Sequence, residues 1–251
     1  IKEVNRYYQK LDSYYTMGVK DEIIILTNEF LSDGFNSLKE KGIETFHSPM
    51  IKTYMRIDDE SLNIHDHDFL IFTSKNGVKY FFQNNFIKKQ NPENIKAISI
   101  GSKTENLIKK YKVENVYTAK KNYSDKLSIE LKKTGIINSK KVLLVQGNLA
   151  KNKLSENLKK FCYLTKFVAY NTEIIKQKNK QLEKLLNIAN TFTVFTSPSC
   201  FESFINLYDP NKTNIISIGD STSSYIKSFG YSPLITSKMQ TYEGISNSII
   251  S

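Results

Sequence analysis

The stretch AISIGSKTENLIKKY at residues 97–111 has a second copy in the same chain, IISIGDSTSSYIKSF at residues 215–229. Both copies contain ISIG, a threonine three residues after the glycine, and a following Ile-Lys pair. A short apolar run, a glycine and an amphipathic stretch are typical of a strand, a tight turn and a helix. The two copies therefore predict a strand–turn–helix unit that occurs twice.

The repeat extends over most of the chain, at an offset of about 120 residues. Three further pairs of segments align: DFLIFTSKNGVKYFF (68–82) with TFTVFTSPSCFESFI (191–205), IIILTNE (23–29) with VLLVQGN (142–148), and IETFHSP (43–49) with LTKFVAY (164–170). Self-similarity at one offset predicts an architecture built by internal duplication.

Short apolar runs alternate with amphipathic helical patterns, which favours parallel sheets covered by helices on both faces. We predict an α/β fold of two domains, each a parallel five-stranded sheet flanked by helices. The extended stretches at 48–58 and 163–174 indicate crossings, so that the first two strands of each copy complete the sheet of the other copy. The predicted domains are 1–47 plus 175–251 and 55–165, joined by extended linkers at 48–54 and 166–174.

Composition narrows the function classes. The chain has 251 residues and no apolar run long enough to span a bilayer, so no membrane association is expected. The net charge of +11 suits nucleic acid, a membrane surface or a polyanionic small molecule, and it is equally explained by lysine-rich solvated helix faces. No nucleic-acid-binding motif is present, so no nucleic-acid partner is expected. We expect a cytoplasmic protein, or a plastid-type organellar one if a targeting sequence precedes Ile1.

The cysteines and histidines indicate neither a metal site nor a disulfide. Cys162 and Cys200 are isolated and lack ligand spacing. His65 and His67 precede a strand in a polar loop, where a solvated turn is favoured over a metal site. Dinucleotide, phosphate-loop, serine-hydrolase and zinc-protease motifs are absent from the sequence.

Ligands of doubly wound sheets bind beyond the carboxyl ends of the strands, where helix starts present unpaired N–H groups. Small or polar residues occupy these loops, and any one of them could serve only as a helix cap. Together they offer many amide donors and few carboxylates, which favours a carboxylate-bearing ligand in one cleft. The candidates are Ser74, Lys75, Asn76, Gly101, Ser102, Thr104, Gly147, Asn148, Ser197, Pro198, Ser199, Gly219, Ser221 and Thr222.

The strings FTSKNGVKYFF, ISIGSKT, VLLVQGNLAKNKL, VAYNTE, FTSPSCFESF and ISIGDST, in this order, resemble the uroporphyrinogen-III synthase family from about residue 23 to the C-terminus. The resemblance implies two α/β domains joined by a two-stranded ladder, with the active site between them. It implies closure of hydroxymethylbilane, a linear tetrapyrrole, to uroporphyrinogen III with D-ring inversion and loss of water, a lyase reaction of haem biosynthesis without a cofactor.

The resemblance also implies roles for individual residues. Tyr170 matches a cleft tyrosine that assists departure of the substrate hydroxyl, although a lone tyrosine is more often a packing residue. Thr104 and Thr222 match paired threonines that bind substrate, and the candidate loops match loops that bind carboxylates through main-chain N–H groups. Asn28 and Gln146 stand where the family often has arginine.

The expected partners are the bilane itself and hydroxymethylbilane synthase, which would supply it, and a monomer is expected because the repeat already provides both walls of the cleft. Two alternatives stay open at this point. One is a non-catalytic two-lobed binding or sensor protein for an anionic metabolite. The other is a nucleic-acid-binding protein, suggested by the charge alone.

Overall fold

The computed structural model describes residues 22–56, 62–92, 94–119, 124–188 and 190–251. Within these ranges the strands are β1 (Glu22–Leu26), β2 (Glu44–His47), β3 (Ile51–Met55), β4 (Phe69–Phe72), β5 (Lys96–Ile100), β6 (Glu114–Ala119), β7 (Lys141–Gly147), β8 (Tyr163–Ile174), β9 (Asn190–Phe195), β10 (Asn214–Ser217) and β11 (Ile235–Thr236). The helices are α1 (Asn36–Glu40), α2 (Lys75–Gln83), α3 (Asn85–Lys88), α4 (Ser102–Lys110), α5 (Ser124–Thr134), α6 (Lys153–Leu158), α7 (Lys180–Ile188), α8 (Pro198–Leu207), α9 (Asp220–Ser228) and α10 (Tyr242–Ile250), with short 3-10 helices at Asp33–Phe35, Ile64–Asp66 and Pro210–Lys212.

The strands form two sheets, with the orders β11-β10-β9-β1-β2 and β3-β8-β7-β4-β5-β6. Neighbours from β11 to β2 and from β8 to β6 pair in parallel. Strands β1 and β2 of the first copy thus complete the sheet of β9, β10 and β11, while β7 and β8 of the second copy complete the sheet of β4, β5 and β6. This order confirms the α/β class and the swapped duplication.

Both faces of the sheets are covered, which explains the unbroken apolar runs in the strands. In β1, Ile23 and Ile25 pack in one core cluster with residues of α7 and α8, whereas Ile24 and Leu26 pack in another with residues of α1 and α10. Successive strand residues point to opposite faces, so a strand buried on both sides needs apolar residues at every position.

The second sheet has six strands, one more than predicted, because the segment assigned to the first linker forms β3. The Met50 carbonyl accepts a hydrogen bond from Ile175 N (2.9 Å), and Arg56 N donates to the Ala169 carbonyl (3.1 Å). Partner numbers fall on β8 as they rise on β3, so the two strands run antiparallel. The long strand β8 pairs with β7 on one edge and leaves the other edge open, and β3 satisfies those backbone groups.

The helical segment that follows β4 is interrupted at Asn84. Its backbone is extended (φ −62°, ψ 126°), and its side chain accepts a hydrogen bond from Phe86 N at 2.9 Å. Asparagine favours such local side-chain bonding over helix continuation. The chain therefore ends α2 at Gln83 and restarts as α3.

The chain divides into two compact units. One comprises the described residues up to Lys52 together with Ile174–Ser251, and the other comprises Thr53–Glu173. Residues 1–21 of the first predicted domain lie outside the described ranges. Among the described residues, no helix is both long enough and apolar enough to cross a membrane.

Candidate functional site

The unit formed by Thr53–Glu173 brings most of the predicted site residues of its sheet to one edge. Strands β8, β7, β4 and β5 are neighbours and run in parallel, so the loops that follow β7, β4 and β5 lie side by side. These loops carry Gly147 and Asn148, then Ser74 to Asn76, then Gly101 to Thr104. Tyr170 joins them because it pairs with Gly147 in the register of β7 and β8.

The start of α2 presents main-chain donors at this edge. Ser74 is the N-cap, and its Oγ accepts a hydrogen bond from Gly77 N at 3.1 Å. The N–H groups of Lys75 and Asn76 come before the first intrahelical hydrogen bond, so they remain available to an acceptor. The positive end of the helix dipole and the exposed Lys75 side chain add to the attraction for an anion. This loop is suited to a carboxylate.

The half-buried Tyr170 side chain is held on three sides. Its hydroxyl lies 3.4 Å from Ser74 Oγ, and its ring stacks on Tyr80 with centroids 5.4 Å apart and an interplanar angle of 27°. The third side is Gly147, where a Cβ atom would lie only 2.6 Å from Tyr170 Cζ. Glycine is needed at 147 because the tyrosine ring occupies the space of a side chain.

The electrostatic surroundings keep the Tyr170 phenol protonated. Burial raises the pKa of Tyr170 above its ordinary value of 10.0, the hydrogen bond with Ser74 partly opposes this, and the neighbouring Tyr80 adds to the increase. A phenol with a raised pKa is neutral near pH 7 and can donate its proton.

Asn148 fixes the strand that carries Tyr170. Its main-chain N–H donates to the Tyr170 carbonyl at 3.1 Å, and its Oδ1 accepts from Thr172 N at 2.8 Å. Its Nδ2 donates to the Thr172 carbonyl at 3.4 Å. The carboxamide thus pairs with the backbone of β8, a structural use that the sequence analysis did not anticipate.

The loop after β5 follows the predicted glycine–helix pattern. Gly101 has φ 76°, in the left-handed region that favours glycine, and its carbonyl accepts from Thr104 N at 3.1 Å. Ser102 is exposed, whereas the Thr104 side chain is buried with 5% exposure. Ser102 therefore presents its hydroxyl more openly than Thr104 does.

The other unit carries the second set of loops at the carboxyl ends of β9 and β10, which are adjacent and parallel. Ser197 caps α8 by accepting a hydrogen bond from Cys200 N at 3.2 Å, with Pro198 in the first turn, and its Oγ lies 2.9 Å from Ser199 Oγ. After β10, Ser221 is exposed and Thr222 is buried, in parallel with Ser102 and Thr104.

Gln240 belongs to the same edge, although the sequence analysis missed it. A Cβ atom at Gly219 would lie 2.5 Å from Gln240 Cγ, so the glutamine side chain covers the glycine before α9. Gln240 lies in an irregular segment after β11 with no motif around it. Only the tertiary structure brings it to Gly219.

The two positions that depart from the resembled family are buried. Asn28 is 2% exposed and Gln146 is 4% exposed, and neither Asn28 Oδ1 nor Gln146 Oε1 has a hydrogen-bond partner among the described residues. Asn28 Nδ2 donates to the Phe30 carbonyl. Neither side chain offers a charge to a substrate carboxylate.

His65 and His67 precede the start of β4 and lie apart from these edges. His65 is exposed in the 3-10 helix Ile64–Asp66, and His67 follows it. Within the described ranges, no group of three or more His, Cys, Asp or Glu side chains is arranged to hold a metal ion.

Both cysteines are free and buried, and we expect them to react slowly in the folded protein. Burial raises the pKa of Cys162 to about 11, its Sγ donates to the Leu158 carbonyl at 3.2 Å, and burial also raises the pKa of Cys200. At pH 8 alkylation of Cys162 by iodoacetamide, followed by mass spectrometry, should be roughly two orders of magnitude slower than for an ordinary thiol, and Cys200 should also be slowed. The same protein in guanidinium chloride is the control, and rapid labelling without denaturant would contradict this expectation.

Comparison with known proteins points to one family. A family model described as uroporphyrinogen-III synthase HemD matches residues 35–247. A candidate uroporphyrinogen-III synthase of Methanocaldococcus jannaschii is 28% identical over 243 residues, which cover 89% of this chain and 95% of that protein.

Solved structures share the fold. The crystal structure of uroporphyrinogen-III synthetase from Helicobacter pylori has a TM-score of 0.66 at 16% identity and covers 91% of this chain and 98% of its own. A mutant uroporphyrinogen III synthase from the extremely thermophilic bacterium Thermus thermophilus has a TM-score of 0.61 at 13% identity, with coverages of 91% and 97%. At these identities the likeness concerns the fold alone.

Proposed function

Because the chain belongs to the uroporphyrinogen-III synthase family, we propose that it closes hydroxymethylbilane to uroporphyrinogen III, with inversion of the D ring and loss of water. The reaction makes it a lyase of tetrapyrrole biosynthesis. The environment of Tyr170 is the observation that supports the proposal at the level of individual residues. A protonated phenol there lies beside the amide-presenting start of α2.

Tyr170 is the proposed proton donor. When the C–O bond of the hydroxymethyl group breaks, the phenol transfers its proton to the departing oxygen, water leaves, and an azafulvene cation remains. The substituted carbon of ring D attacks this cation to give a spiro intermediate, and fragmentation with recombination inverts the ring. When the last carbon–carbon bond forms, ring D loses one proton, and this proton returns to the Tyr170 phenolate. The overall change is the loss of one water.

The loops are proposed to bind the carboxylate side chains of the tetrapyrrole. Ser74 to Asn76, Ser102 and Gly147 serve this purpose in one unit, and Ser197 to Ser199 with Ser221 in the other, mainly through N–H groups at helix starts. Thr104 and Thr222 are proposed to contribute hydroxyl groups, Gly101 is proposed to allow close approach of the ligand, and Gly219 is proposed to offer its main chain beside Gln240. Asn148 supports the site by holding β8.

Binding energy distributed over many such contacts can hold the bilane in the conformation that leads to inversion, which positions the reacting carbons. In this proposal the protein acts as a monomer, needs no cofactor, and takes its substrate from hydroxymethylbilane synthase.

The deciding experiment supplies freshly generated hydroxymethylbilane to the purified protein and resolves the oxidised uroporphyrin isomers by chromatography. Isomer III above the no-enzyme control is the expected result, because the bilane cyclises unaided to isomer I. Isomer I alone, together with tight binding of the tetrapyrrole, would replace the enzymatic proposal with a binding or sensor role.

A further inference from the structure

The Tyr170 ring is held by a ring contact more firmly than by its hydroxyl. Its distance to Ser74 Oγ is 3.4 Å, at the long end of hydrogen-bond distances, and Ser74 Oγ already accepts from Gly77 N at 3.1 Å. A single long hydrogen bond leaves the phenol free to swing about its side-chain torsions. The stacked face of Tyr80 restricts that motion, because moving the Tyr170 ring would break the contact at 5.4 Å.

Tyr80 is itself rigidly placed. It lies in α2 with 8% exposure, and its hydroxyl donates to the Thr53 carbonyl at 3.1 Å. The hydroxyl of Thr53 lies 2.8 Å from the Tyr80 oxygen and can donate to it. Thr53 belongs to β3, so Tyr80 is fixed at one end by its helix and at the other by a strand of the sheet that carries Tyr170. The Tyr80 ring therefore has a fixed position against which the Tyr170 ring stacks.

We propose that Tyr80 is a positioning residue for the reaction. Its ring face holds the Tyr170 phenol at the angle from which the proton reaches the departing hydroxyl, and it touches no substrate itself. The inference rests on the proposed role of Tyr170. A misplacement of about 1 Å in a catalytic group can cost roughly 100-fold in rate, so loss of the stacking partner should be visible in kcat.

The test is a double-mutant cycle on the full chain, with kcat and KM measured for isomer III formation from fresh hydroxymethylbilane. Tyr80→Leu removes the ring and keeps an apolar side chain, and we expect kcat to fall roughly 10-fold with KM within about twofold of wild type. In a Tyr170→Phe background the same change should cost nothing further, because the donor whose position matters is gone.

Conservative replacement separates the ring from the hydroxyl. Tyr80→Phe keeps the stacking face and loses only the bonds to Thr53, so we expect it to retain at least about a third of the wild-type kcat. Urea unfolding of every variant identifies loss of folded protein. If Tyr80→Leu does not fold, Tyr80→Met supplies an unbranched apolar side chain without a ring face.

The outcomes are distinguishable. An equal fall in kcat with and without the Tyr170 phenol would overturn the inference, because a purely structural role predicts that pattern. A Tyr80→Phe variant as slow as Tyr80→Leu would also overturn it, since the Tyr80 hydroxyl, and not the ring, would then account for the effect on kcat. Isomer III formed at the wild-type rate by Tyr170→Phe would refute the donor role on which the inference depends, and would leave the synthase activity in place.

Discussion

Tyr170→Phe is expected to lower kcat for uroporphyrinogen III formation roughly 100-fold, with little change in KM. Phenylalanine retains the ring that stacks on Tyr80 and fits over Gly147, so the substitution removes only the proton donor. The residual rate reflects binding and positioning by the loops. Initial rates with fresh hydroxymethylbilane and separation of isomers III and I provide the measurement.

Thr104→Ala and Thr222→Ala are the matched controls, because each removes one hydroxyl from a buried first-turn threonine. We expect each to lower kcat by no more than about 5-fold, since many contacts share the binding of the tetrapyrrole and a single hydrogen bond contributes about 1 kcal/mol. If Tyr170→Phe reacts at the wild-type rate, or if either threonine variant is slower than Tyr170→Phe, Tyr170 is not the proton donor.

The pH dependence of the wild-type and Tyr170→Phe proteins gives a second check of the donor role. The pKa of Tyr170 is raised from 10.0, so the phenol stays protonated through neutral and mildly basic solution and ionises only above about pH 10. The ratio of the wild-type rate to the Tyr170→Phe rate should therefore be constant between about pH 7 and pH 9. A ratio that falls across this range would mean that the donor ionises earlier than its surroundings allow.

Gly147→Ala is expected to lower kcat nearly as much as Tyr170→Phe does, and also to destabilise the fold. The new Cβ would lie 2.6 Å from Tyr170 Cζ, 2.8 Å from Cε2 and 2.9 Å from the hydroxyl oxygen, closer than atoms can pack. The ring cannot yield freely because Tyr80 stacks against it. We expect roughly a 100-fold loss of kcat through displacement of the phenol, and about 1–3 kcal/mol lower free energy of unfolding in urea.

Gly77→Ala is the control for Gly147→Ala. A Cβ there would approach Ser74 Oγ and the Val145 carbonyl at 3.5 Å, an ordinary contact, and alanine is the better helix former in α2 by roughly 0.5–1 kcal/mol. The cause of the damage can be isolated with Tyr170→Ala, which empties the space beside residue 147. If Gly147→Ala costs as much stability in that background as in the wild type, the steric conflict with the ring is not its cause.

The resemblance to the family was evident in the sequence because duplicated strings in fixed order are recorded directly in the residues. The loop residues at 74–76, 101–104 and 197–199 were also predictable, since each follows an apolar strand and opens a helix. Strand β3 was predicted only as part of the extended linker at 48–54, and its pairing with the second linker was implied only by the two-stranded ladder of the resembled family. Its residues IKTYM are too polar to mark a buried strand, and its pairing depends on the open edge of β8.

The alternation of strands and helices, the duplication and the exchange of strands between copies could all be predicted from the residues alone, because apolar periodicity and repetition run along the chain. Which side chains meet depends on the folded arrangement. Ser74 and Tyr170 are 96 positions apart, and Tyr80 faces Tyr170 because of the rotation of α2 and the register of β8 against β7. Contacts of this kind depend on how separate elements pack against one another, which no local pattern of residues encodes.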